Sequence, residues 1–165
     1  MRSNIVRHSA AVASMALVLG SALPAAAAAT AQVHQHEGAA TQELKLDAGK
    51  KWETDAPLRK GMSEIRNAIV ADKSAIHAGK LSDARYDALA KRVDAQVAYM
   101  IANCKLRPEA DAQLHLVIAQ IVEGSEAMKG KAKGATRRAG AEKIVAALNA
   151  YGNHFEHPGW TSLTG

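Results

Sequence analysis

Six side chains stand out in this sequence as candidate soft or borderline metal ligands: His34, Met62, Cys104, His115, His154 and His157. A thioether, a thiolate and several imidazoles form the ligand set that copper prefers, Cu(I) above all. Cys104, His154 and His157 together would make a shallow site for Cu(I) or Zn(II). Met62 and His115 would flank a deeper cavity. His34 stands apart, in the stretch His34-Gln35-His36-Glu37. A chain cut after Ala31 would have His34 as its third residue. Its free amine, two backbone amides and that imidazole can then wrap Cu(II) or Ni(II) in a square plane. Each residue also has a plainer reading. Met62 and Cys104 lie on apolar stripes, where both types are ordinary core residues. His115 and His154 flank such stripes, and His157 can satisfy carbonyls at a helix end. His34 can be part of a solvated tail. No paired carboxylate set accompanies a His or Ser in a catalytic motif, so no catalytic residue is assigned and no enzyme is expected.

Four amphipathic segments must position these groups. Pro57 suits a first helical turn, and Thr54 or Asp55 can cap it. The stripe Leu58, Met62, Ile65, Ile69 and Ile76 then predicts a helix over 57–77, ended by Gly79-Lys80. Ser82 is the next cap candidate. The stripe Tyr86, Leu89, Val93, Val97, Met100 and Cys104 predicts a second helix to about residue 104. Pro108 starts a third, with Leu114, Val117, Ile118, Ile121 and Met128 on one face. A Gly-rich basic loop over 129–139 carries Lys129, Lys131, Lys133, Arg137 and Arg138. It is either a solvated connector or a dock for an acidic partner or anionic lipid head groups. The fourth helix carries Ile144, Leu148, Tyr151 and Phe155 at steps of four, three and four. It runs into His157-Pro158-Gly159-Trp160.

Arg2 and Arg7 precede an apolar run, then Pro24 and a string of alanines. This is the pattern of a cleaved secretory signal peptide, and the run is too short for a convincing membrane span. The expected organisation is a signal peptide at 1–31, a mobile His-containing arm at 32–51, a four-helix bundle at 52–160 and a tail at 161–165. Losing the leader lowers the net charge from +5 to +3. Mild basicity and export exclude a dedicated nucleic-acid binder. One cysteine excludes an intramolecular disulfide. Abundant alanine and few aromatics suit closely packed helices. The expected fold is all-α, an antiparallel up-down-up-down four-helix bundle in the periplasm, with no transmembrane span in the mature chain.

That topology brings the starts of helices 1 and 3 and the ends of helices 2 and 4 to one end. Met62, Cys104, His115, His154, His157, Trp52 and Trp160 all lie toward it. Two resemblances bear on this end and on the arm. His34 in third place resembles the amino-terminal copper and nickel motif of secreted proteins. Helices 1 and 4 resemble cytochrome b562, the periplasmic four-helix haem protein. Leu58 to Met62 is similar to the turn that brings that family's axial Met, and Asn149-Ala150-Tyr151 to the tripeptide before its axial His. Gly152 stands at the histidine's position, and the nearest imidazole is His154. The resemblance implies haem b and electron transfer, with Met62 and His154 as the residues at the cofactor and a redox partner. The expectation from the residues themselves is an exported bundle that binds copper at its Met/Cys/His end. A haem electron carrier and a cofactor-free structural or partner-binding bundle are the alternatives.

Overall fold

The computed structural model describes residues 43–163. The leader, the arm up to residue 42 with His34, and residues 164–165 lie outside the described residues. Four helices follow one another: α1 (Ala56–His77), α2 (Asp83–Asn103), α3 (Pro108–Met128) and α4 (Arg137–His154). No strand occurs among the described residues. At about 1.5 Å per residue each helix is roughly 27–33 Å long.

Local chemistry sets the boundaries. Asp55, rather than Thr54, caps α1, its carboxylate accepting from Leu58 N at 2.8 Å. Ser82 accepts from Arg85 N, and Thr136 accepts from Ala139 N. α3 has no side-chain cap. It starts instead on a proline, and Glu109 and Asp111 sit in the first turn, where the helix dipole favours negative charge. The loop expected over 129–139 is shorter than the sequence suggested. Thr136 captures an orphan amide, and Arg137 and Arg138 become the first turn of α4.

The predicted stripes form one core. All five residues of the α1 stripe are at most 4% exposed, and Ile144, Leu148, Tyr151 and Phe155 are fully buried. Two expected members are only partly buried, Ile118 and Cys104. α1 packs on α2, α2 on α3, α3 on α4, and α4 on α1. The α3–α4 seam is the tightest. A Cβ on Gly140 would lie 2.5 Å from the Gly124 carbonyl oxygen, and one on Gly124 would lie 2.7 Å from that of Gly140. Only two glycines allow backbones to approach so closely.

Polar links cross the other seams. Arg85 of α2 holds Asp72 of α1 at 3.0 Å. Asp94 of α2 accepts from Ser125 and Lys129 on the α3 side. The basic stretch is largely neutralised from within the chain. Lys129 pairs with Asp94 and Glu126, Lys131 with Glu126, Arg137 with Asp83 and Asp87, and Arg138 with Glu142.

Residues 43–51, expected as the base of a mobile arm, are tied to the helices. Lys45 N donates to Gln113, Asp47 pairs with Arg107, and the Trp52 indole donates to the Lys45 carbonyl at 2.6 Å. Trp52 also pairs with the chain leaving α4. Its N–H donates to His154 O, and its carbonyl accepts from Glu156 N, both at 2.8 Å. These bonds need extended backbone on both sides, a local pairing that helical periodicity does not reveal. No described helix is long and apolar enough to cross a membrane.

Candidate functional site

The chain leaving α4 folds back over the bundle, and this return builds the site. Phe155 ends the helix and is fully buried. Residues 156–163 then run against α1 and α4. Arg66 donates to Thr161 O, and Asn149 exchanges two hydrogen bonds with the Leu163 backbone. Leu163 is buried, and Trp160 packs edge-on against Tyr151.

His157 sits between α1 and α4. Its Nδ1 is 2.9 Å from the Tyr151 hydroxyl, and its Nε2 is 3.3 Å from Ser63 Oγ. Burial, and then the Arg59 guanidinium, push its pKa below the ordinary 6.5, so the ring is neutral near neutral pH. Burial also raises the Tyr151 phenol, which stays protonated. The tautomer follows from satisfaction of the phenol. Tyr151 is fully buried, and His157 Nδ1 is the hydrogen-bond partner of its hydroxyl. A buried O–H needs an acceptor, so Tyr151 donates and Nδ1 carries no proton. Nε2 therefore carries the proton and donates to Ser63 Oγ, leaving the serine O–H free to turn outward.

Outward lies a pocket of about 530 Å³ between α1 and the returning chain, lined by Arg59, Lys60, Ser63, His157, Glu53 and Glu156, among others. Arg59 is steadied by two bonds from Nη1 to Thr54, and Lys60 lies 5.0 Å above the Tyr99 ring. The pocket wall is donor-rich where α1 faces it. A smaller cavity of about 210 Å³ continues past Ser63, His157 and Trp160.

The residues singled out from the sequence are dispersed around this arrangement. Met62 precedes Ser63 but is fully buried in the core. Cys104 caps α2 and is half-buried. Burial, then the charge of Asp55 and a hydrogen bond to it, push its thiol up to about 12, so it is no thiolate near neutral pH. Unlike the buried Met62, His115 is exposed. Its side chain is 67% exposed, with Nδ1 donating to Asp111 O and facing the Asp111 carboxylate at 3.4 Å. His154 donates from Nδ1 to Ala150 O at 2.8 Å. His157 alone lines the pocket. Among the described residues, no three His, Cys, Asp or Glu side chains form a group that could hold a metal ion.

The haem positions do not fit haem. Gly152 has no ligand atom, and a Cβ there would lie 2.3 Å from Trp160 Nε1. The indole covers the direction in which a ligating side chain would leave the helix. The Met62 sulfur belongs to a fully buried core side chain.

Sequence reasoning missed Ser63, Arg59 and Lys60, and it gave the Tyr151 hydroxyl no role. The available signal was a polar strip on α1, with residues 59, 60 and 63 beside the apolar stripe. What could not be read was the fold-back of residues 156–163, which brings His157 to that strip. No family model, curated protein or solved structure gives a match to the chain.

Proposed function

We propose that this chain is an exported, antiparallel up-down-up-down bundle that binds a small polar ligand in the pocket between α1 and the returning C-terminal chain. The basic, apolar, alanine-rich start supports export to the periplasm. The bonds joining Asp55 to Lys105, Asp47 to Arg107 and Trp52 to His154 support the antiparallel order. The observation that carries the binding reading is the Tyr151–His157–Ser63 chain beneath the 530 Å³ pocket. A buried phenol fixes one imidazole proton, and the imidazole fixes a serine hydroxyl at a pocket wall that also holds two cations. Orientation of donors is what a polar ligand site requires. A catalytic serine would need the opposite tautomer, with Nε2 free to take its proton. The reading is therefore of a binding protein and not a hydrolase. Its test is native mass spectrometry of protein recovered from its own compartment. A bound small molecule is expected in the wild type and absent from Ser63→Trp, which fills the pocket. Each protein appearing only at the mass of its own bare chain would refute it.

Copper is the second reading, favoured by one observation. His154 Nδ1 donates to the Ala150 carbonyl, and a metal-ligating histidine typically donates its other ring N–H in this way. Cys104 would have to lose its proton on binding, so Cu(I) affinity should fall steeply on acidification. Competition against a Cu(I) chelator in the wild type, His154→Ala and Cys104→Ser decides it. Equal affinity in all three removes copper from this end.

A further inference from the structure

About half of the charged side chains among the described residues enter ion pairs. Asp72, Asp94, Glu126, Arg137 and Lys129 all make ion pairs between or within helices. The pocket against α1 gathers charges of both signs. Arg59, Lys60, Glu53 and Glu156 line it together, yet none of the four enters an ion pair among the described residues. Glu53, Lys60 and Glu156 are exposed, and exposed charges gain little from pairing with one another, so these groups stay available to a ligand. Here other contacts hold the neighbouring groups. Arg59 is turned to Thr54, Thr54 donates to the Glu156 carbonyl, and Lys60 lies over Tyr99. Between them Ser63 presents its hydroxyl, oriented through His157 and Tyr151.

Resting on the binding function proposed above, we infer that the ligand of this pocket is a small zwitterion, carrying one carboxylate and one ammonium. The carboxylate meets Arg59, Lys60 and the Ser63 hydroxyl. The ammonium meets Glu53 and Glu156. A dianion would be repelled by the two glutamates, and a simple amine by the two cations. Only a ligand with both signs satisfies both walls, and each of its ends brings a charge-assisted hydrogen bond.

The test is calorimetric titration with glycine, β-alanine, γ-aminobutyrate and ε-aminohexanoate, which space the two charges progressively further apart. Butyrate and butylamine are the single-charge controls. At least one member of the series should bind about tenfold or more tightly than both controls. Lys60→Met and Glu156→Gln should each weaken that binding by about fivefold or more, with the unfolding midpoint unchanged. Butyrate binding as tightly as every zwitterion would overturn the inference and leave a carboxylate pocket standing. Binding by none of the six compounds also overturns it. In that case a native ligand lost from Ser63→Trp would keep the pocket as a site, and its absence would end both claims.

Discussion

His157 is the residue on which the site depends, and its protonation links the site to stability. Burial and Arg59 hold its folded-state pKa below 6.5. The unfolded chain therefore takes up the proton first as pH falls. The stabilisation is fully present above the unfolded value, declines as pH drops through it, and levels off below the folded pKa. Urea unfolding near neutral pH and again about two pH units lower should show a larger loss for the wild type than for His157→Gln. Trp160 gives a second residue-scale prediction. Its Nε1 is buried without a hydrogen-bond partner among the described residues. An unmet donor costs about 1–3 kcal/mol. Trp160→Phe keeps a ring on Tyr151 and removes that donor, so its stability should stay within about 1 kcal/mol of wild type or exceed it. A loss of several kcal/mol on denaturant unfolding would show that the indole N–H is satisfied. Cys104 should react slowly: its thiol, raised to about 12, should alkylate far more slowly than a free cysteine at mildly alkaline pH. Labelling kinetics followed by mass spectrometry check this.

At the scale of elements, the helices were legible because their signals are local. Stripes at helical spacing, Pro57, Pro108 and Ser82 are read directly, and all mark observed elements. The start of α4 was misplaced because Arg137 and Arg138 looked like more of a basic loop, while the single cap at Thr136 carried little weight. Asp55 has a larger part than a cap. One carboxylate oxygen receives Leu58 N, and the other receives Lys105 N at 2.6 Å from the α2–α3 link. Asp55→Ala should cost about 1–3 kcal/mol, more than an ordinary cap, because a second amide loses its acceptor. Asp55→Asn should recover part of this, as equilibrium unfolding would show. The Gly124–Gly140 crossing is stricter. Gly140→Ala places a methyl 2.5 Å from a carbonyl oxygen, so α3 and α4 must separate. A loss of about 1–3 kcal/mol or more is expected in the same assay.

For the molecule as a whole, the sequence pointed to one end of the bundle for a site, and the arrangement there could not be read from it. Met62, Cys104 and His115 were grouped by their distance along helices, which says nothing of direction around the axis. Met62 turns into the core, His115 turns to solvent, and Cys104 turns to Asp55. The pocket arises from a segment with no periodicity, residues 156–163, and from a polar strip on α1 whose importance appears only once His157 lies on it. The central claim is that Tyr151 donates to His157 and so makes this a binding wall and not a catalytic one. The most direct measurement is NMR of the His157 ring nitrogens in the intact protein near neutral pH. The account predicts a neutral ring with its proton on Nε2 and a bare Nδ1, and loss of that preference in Tyr151→Phe. A proton on Nδ1, with Nε2 free to accept from Ser63, would contradict it.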